Sequence, residues 1–266
     1  MAQSKALEDG ATPKTTTDIS VLSTMFEADA GVGMENLGQE DLALPFLKVL
    51  SGNDPVLDEN EQARKGDIYN TVTGALYKGK TGVRVIPAVY QRRFIQWAPR
   101  GAGSGAPTAI YESREACPIT QRSAEDNKDY LLDSAEYIEE THQHFVLLIG
   151  EGAVETALIS MKSTQLKKSR KWNSMMASRQ MEGANGTFTP ARFSHIYHLR
   201  TVSEENSKGS WHGWEMSCEG PVVDEQLYGR AREFASSIKA GEVKVKHESG
   251  GQTADDMPFA EQVAPF

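Results

Sequence analysis

The sequence predicts a mainly β fold of the α+β kind, an antiparallel barrel or sandwich carrying two helices, with disordered termini. Three observations predict it. Six or so strand-sized signals run along the middle of the chain, and several of them alternate apolar with polar residues. Two of them, Gln143–Ile149 and Ala153–Met161, flank Gly150-Glu151-Gly152, a tight-turn signal. Two further stretches repeat their apolar residues at helical steps, and both chain ends have no periodicity.

Residues 1–34 are rich in Thr, Ala, Gly and Asp, with one short apolar patch of Val21, Leu22, Met25 and Phe26. So little apolar surface predicts a disordered arm with one fragile helical turn or two. The folded domain is expected over 35–246, its apolar run beginning near Leu42 and ending at Leu50. Ser51-Gly-Asn-Asp-Pro55 then reads as a turn. Gly82–Trp97 alternates Val83, Val85 and Val89 with polar or aromatic residues. Pro87 has no N–H for a ladder, so this is an edge strand or it bends there. Gly101–Pro107 is a flexible loop and residues 120–140 a charged surface insertion. Ser163 or Thr164 caps a helix running to about Arg179. Arg192–Arg200 places Phe193, His195, Tyr197 and Leu199 on one face, and Trp211–Cys218 is a last strand. Asp224 caps a second helix with a packing stripe of Leu227, Ala231, Phe234 and Ile238, and Gly241 ends it. From 247 to 266 a disordered acidic tail follows.

The 266 residues suit one domain with flexible ends. Hydrophobic residues make up 39%, and the mean hydropathy of -0.48 means that part of the chain joins no core. No run approaches the roughly 18 apolar residues of a membrane span, and Met1–Thr17 is polar, unlike a signal peptide. The expected location is the cytoplasm, with no membrane partner. Cys117 and Cys218 are too few and too far apart for a disulfide scaffold or a metal site.

A net charge of -9 speaks against nucleic acid until its distribution is read. Residues 1–44 hold 2 basic and 8 acidic side chains, and residues 247–266 hold 4 acidic and none basic. Glu125–Glu140 holds 7 acids and one lysine. Leu76–Arg100, in contrast, has 6 basic residues and no acid, and Lys162–Arg200 has 8 basic and one acid. Charge separated into blocks says more about partners than its total.

The first basic block interleaves cations with rings: Tyr77, Lys78, Lys80 and Arg84, then Tyr90, Arg92, Arg93, Phe94 and Trp97. Single strands are bound by this pairing, because bases stack on flat rings while Lys and Arg neutralise phosphates. The structural alternative is an amphipathic strand with a solvated basic face. The second block runs through Lys162, Lys167, Lys168, Arg170, Lys171 and Trp172. On a helix Lys167 and Lys171 stand four apart, and like charges on one surface want an anionic partner. The alternative is a helix whose charge is paired by the acidic insertion.

The tail offers a partner-binding segment, Asp255, Asp256, Met257, Pro258 and Phe259, with a second Pro-Phe pair ending at Phe266. An acidic segment tipped by an aromatic ring can dock into a basic-rimmed pocket. The run Asp255–Phe259 resembles the tip of bacterial SSB proteins, which reads Asp-Asp-Ile/Leu-Pro-Phe. Those proteins, and several phage single-stranded DNA-binding proteins, join an OB-fold core to an acidic tail ending in phenylalanine. The segments beginning at Glu35 (Glu-Asn-Leu-Gly-Gln-Glu-Asp-Leu) and Ile68 (Ile-Tyr-Asn-Thr-Val-Thr-Gly) are similar to phage proteins found among replication genes. This resemblance implies an OB-like barrel that binds single-stranded DNA without cofactor. It also implies that the tail recruits replication or recombination proteins. Here Phe259 stands seven residues before the terminus, so two docking residues are offered; Asp255 and Asp256 directly before it favour Phe259.

No phosphate-binding loop, nucleophile elbow or HExxH motif is present. His142 and His144 share a strand face, but no further His or Cys lies near them in sequence, and no metal is expected. The function expected is thus a non-enzymatic coat for single-stranded DNA in phage replication or recombination. A single-strand annealing protein is the alternative, and a phage structural or host-takeover protein a third. The sequence leaves room for a homo-oligomer.

Overall fold

The computed structural model describes residues 19–37, 41–99, 101–102, 105–150, 153–206, 209–243 and 245. It divides into two units, residues 1–41 and 42–266. In the first, helix α1 (Ile19–Ala28) runs for ten residues, longer than the turn or two expected. Met25 and Phe26 remain exposed on it.

The second unit is mainly β, as the alternating segments predict, and its sheet curls into an antiparallel half-barrel. Strands β1 (Leu47–Val49), β2 (Ile68–Asn70) and β3 (Leu76–Tyr77) form a small sheet, with the single helical turn α2 (Val56–Glu59) between β1 and β2. The large sheet is built on β4 (Val83–Trp97) and β8 (Tyr137–Ile149), paired antiparallel along their full lengths. Strand β9 (Val154–Lys162) follows β8 as the expected hairpin partner; Glu151 and Gly152 of its turn lie outside the described residues. On the other side, β4 meets β12 (His195–Asn206) through Val83–Val85 and β5 (Ala109–Tyr111) through Phe94–Gln96. Strand β13 (Gly209–Pro221) pairs along β12, and β10 (Met181–Gly183) and β11 (Gly186–Phe188) form a separate antiparallel pair. The region expected as a surface insertion extends the sheet instead. Strands β6 (Thr120–Arg122) and β7 (Asp129–Leu131) form a ribbon that joins the start of β8. Its dense charge hides the pairing of Tyr130 with Tyr137, whose rings meet at 5.9 Å.

The small sheet spans the open side of the half-barrel. At one margin the Leu158 N–H donates to the Pro45 carbonyl (2.8 Å), and at the other the Thr201 N–H donates to the Gly79 carbonyl (2.9 Å). The enclosed interior holds Leu47, Ile68, Val85, Val146, Leu148, Ile159, Tyr197 and Leu199. Helix α3 (Gln165–Ala177) closes it with Trp172 and Met176. The outer face, carrying Ile86, Ala88, Phe145, Leu147 and Leu158, is covered by α4 (Glu225–Ala240) through Ala231, Phe234, Ala235 and Ile238. Covering both faces makes β8 almost continuously apolar from Phe145 to Leu148, where a half-exposed strand would alternate.

The helix ends follow the sequence to different degrees. The Asp224 carboxylate accepts from the Gln226 and Leu227 N–H groups, a cap worth about 1 kcal/mol. Gly241 closes α4 in the left-handed conformation, φ 78°. Thr164 precedes α3 but makes no side-chain cap, and Ser163 before it takes φ 48°. Pro87 sits where the β4 register shifts, and among the described residues β4 has a strand partner on one side alone between residues 86 and 93. The missing N–H is therefore tolerated inside a long strand.

Candidate nucleic-acid interface

The first basic block is divided by the length of β4. Arg84 and Arg92 are eight residues apart, roughly 26 Å along a strand. At the near end Tyr77 packs half-buried against the interior. Lys78 Nζ pairs with Asp67 (2.9 Å) and donates to the Gln62 carbonyl (2.7 Å). Arg84 Nε pairs with Glu219 (2.7 Å). Lys80 is exposed and, among the described residues, meets no carboxylate. This end is therefore largely a set of internal ion pairs.

The far end is different, because cross-strand partners share a face. Tyr90 stands opposite His144, Arg92 opposite His142, and Phe94 opposite Glu140. This is the face that α3 covers. Ser169 Oγ on α3 lies 2.7 Å from both His142 Nδ1 and His144 Nε2. Arg170, one residue on, reaches to 3.5 Å from Glu140. Part of each basic block thus meets on one surface, because β4 and α3 both flank β8.

Two expected stacking rings are corrected. Trp172 is 0% exposed and lies against the His144 ring at 4.7 Å. Its position three residues after Ser169 turns it inward, so it cannot receive a base. Phe94 is 5% exposed, with the Arg92 guanidinium 5.4 Å above its ring. Phe94 therefore supports a cation rather than a base. Arg93 falls on the opposite face, bonded to Gln91 (2.8 Å) and 3.6 Å from Glu112. Trp97 is half-buried and its indole N–H has no hydrogen-bond partner. Tyr90 remains the half-buried ring at the junction of the two blocks.

The acidic stretch does pair part of the second block. Lys162 lies 3.3 Å from Glu139, and Arg170 shares Glu140 with His142. Lys168 is bound to Glu204 on β12. Arg92, Lys167 and Lys171 are exposed and have no carboxylate within ion-pair distance among the described residues. The partner-binding residues expected in the tail, Asp255 to Phe259 and Phe266, lie outside the described residues.

Beneath this surface runs a hydrogen-bond chain that sequence reasoning missed. Arg192, in a 3-10 turn (Arg192–Ser194) packed beside the gap along β4, sends Nη2 to His144 Nδ1 (2.7 Å). Arginine has no acceptor, so His144 Nδ1 accepts and its Nε2–H donates to Ser169. Ser169 then donates to His142 Nδ1, and the His142 Nε2–H donates to Glu140 (2.9 Å). Every link has a direction, and both imidazoles are neutral. Burial pushes His144 well below the ordinary histidine range, helped by Arg192 and His142. Burial also lowers His142, against the raising effect of Glu140. The spacing of His142 and His144 was visible in the sequence, but Ser169 and Arg192 lie 25 and 48 residues from His144 along the chain.

The sign of these shifts sets a pH dependence. A histidine held neutral in the fold binds protons more weakly than in the unfolded chain, whose pKa is about 6.5. Stability is complete above that value and falls as pH drops below it, by up to about 1.4 kcal/mol per pH unit for each such group. His195 and His212 are lowered by burial as well, and add to the same trend. Thermal unfolding between pH 8 and 5 should therefore give a falling melting temperature on acidification, with a shallower fall for His144→Gln. A melting temperature that rises with acid would contradict the neutral chain.

Among the described residues no helix is long and apolar enough to cross a membrane. None of their His, Cys, Asp and Glu side chains form a group of three or more placed to hold a metal ion. No curated protein matches the chain, and no solved structure does. One family model, described as Pam3 phage gp34-like protein, matches residues 14–244. That match takes in the whole half-barrel, α3 and α4, and so the chain belongs to the Pam3 phage gp34-like protein family.

Proposed function

We propose that the chain is a non-catalytic phage protein that holds single-stranded DNA with little sequence preference. It would act in replication or recombination in the host-cell cytoplasm. The observation that carries this reading is the meeting of Tyr90 and Arg92 from β4 with Arg170 from α3 about His142, on the helix that also carries Lys167 and Lys171, which meet no carboxylate among the described residues. Exposed cations without acidic partners keep their charge for phosphates, and their counterions are released when a strand binds. A half-buried tyrosine between them gives one base a flat apolar neighbour. The contact region is smaller than the two sequence blocks, because Lys78, Arg84, Lys162 and Lys168 are engaged by the protein's own acids. The acidic tail, through Asp255–Phe259, serves in this reading to recruit partner proteins. Membership of a phage family supports the setting.

Fluorescence anisotropy with a labelled oligothymidine tests the reading. Binding should be measurable at low salt and weaken steeply as salt is added. A folded protein that leaves the oligonucleotide free at low salt would rule the reading out.

A further inference from the structure

Arg192 stands out among the cations of the fold. Its Nε atom is buried without a hydrogen-bond partner. Nη1 donates to Asn173 Oδ1 (2.9 Å) and Nη2 to His144 Nδ1 (2.7 Å), both neutral groups. The guanidinium lies 5.6 Å from the Tyr90 ring centroid and 5.9 Å from that of Trp172. Among the described residues no carboxylate pairs with it. Of five N–H donors, three are left unused. A buried guanidinium without an anion is costly, and here desolvation pulls its pKa down to about 10. A purely packing position would be filled more stably by an apolar side chain.

Two more guanidinium groups gather at the same point. Arg92 stands opposite His142, whose ring lies 5.3 Å from that of Tyr90, and Arg170 lies 3.5 Å from the Glu140 carboxylate bonded to His142. The Glu140 carboxylate is already bonded to His142 and close to Arg170, and the fully exposed Glu115 also acts on Arg92. With both histidines neutral, the three guanidinium charges outnumber these carboxylates. An internal phosphodiester carries a single negative charge. A phosphate monoester carries about 1.5 to 2 near neutral pH and offers three acceptor oxygens. Arginine forks match such oxygens in pairs.

We propose that Arg92, Arg170 and Arg192, gathered about Tyr90, form a binding site for a phosphate monoester, the terminal phosphate of a DNA strand in particular. The strand as the source rests on the single-strand reading above; the monoester site does not. Tyr90 would lie beside the first base when its phosphate is held by the arginines. The site would then favour strand ends over strand interiors, which a uniform coating surface would not.

The test uses the full-length protein and two probes. The first is inorganic phosphate, read by melting temperature against sodium chloride of matched ionic strength. The second is a pair of equal-length labelled oligothymidines, one with a 5′-phosphate and one with a 5′-hydroxyl. Both exposed arginines can be removed without opening the interior, so Arg92→Ala/Arg170→Ala is the comparison. Phosphate should raise the melting temperature of the wild type by a few degrees more than that of the double variant. The 5′-phosphorylated strand should bind about tenfold more tightly than its hydroxyl counterpart, a preference lost in the variant. Equal phosphate effects on both proteins, with equal affinity for both strands, would overturn the site. If phosphate binds and both strands remain free, the monoester site stands and the single-strand reading falls. If both strands bind equally and phosphate has no specific effect, the surface stands and this inference falls.

Discussion

Trp172→Ala should be the most damaging single change in the second unit, costing about 3–5 kcal/mol of unfolding free energy. The indole is fully buried, stacked on His144 and edge-on to Tyr197 at 5.8 Å. Its removal leaves a cavity beneath α3 and takes away the ring stacked on His144. Trp172→Phe should be milder, about 1–2 kcal/mol, since it keeps a ring and removes an indole N–H that has no partner. Chemical denaturation gives both values. The phenylalanine variant also separates packing from binding. Its affinity for an oligothymidine should equal that of the wild type at a temperature where both are folded. A tenfold loss in a fully folded Trp172→Phe protein would mean that the ring reaches DNA, contrary to its burial.

The second large effect concerns charge. Replacing Arg92, Lys167, Arg170 and Lys171 together with alanine should lower single-strand affinity at low salt by on the order of a hundredfold or more. The salt dependence carries more information than the affinity. For single strands each neutralised phosphate contributes about -0.7 to the slope of log K against log salt. Four lost contacts should therefore flatten the slope by about 2.8. Stability should change little, because Arg92, Lys167 and Lys171 are exposed without ion pairs among the described residues, and the solvent-accessible Arg170–Glu140 pair contributes modestly. An unchanged slope would show that phosphates are held elsewhere.

Much of the fold was legible because local rules and tertiary packing agree. Asp224 and Gly241 bound α4 as capping chemistry requires, and Leu227, Ala231, Phe234 and Ile238 turn toward the sheet. The β8–β9 hairpin follows from two strand-sized runs separated by a glycine-flanked turn. The β6–β7 ribbon was not legible, since its strands are three residues each and its charges imitate a solvated loop. The site was legible in part. Interleaved cations and rings in Tyr90–Phe94 and the lysines of α3 mark two segments that the fold brings together. Which ring faces in, and which cation is already paired, depends on register and on distant acids such as Glu204 and Glu219. Arg192 carried no local signal at all. Its significance comes from the gap along β4 between β12 and β5, a feature of sheet topology rather than of spacing.

The meeting of β4 and α3 around His142 is tested most directly by comparing two charge variants at opposite ends of β4. One removes Arg92, Arg170 and Lys171; the other removes Lys78 and Arg84. Oligothymidine affinity is measured for each by anisotropy at roughly 50 and 300 mM salt, beside the wild type. Binding localised at the junction should collapse in the first variant and stay near wild type in the second, with a steep salt effect in the wild type. Equal loss in both variants, or wild-type affinity that is the same at both salt concentrations, would contradict it.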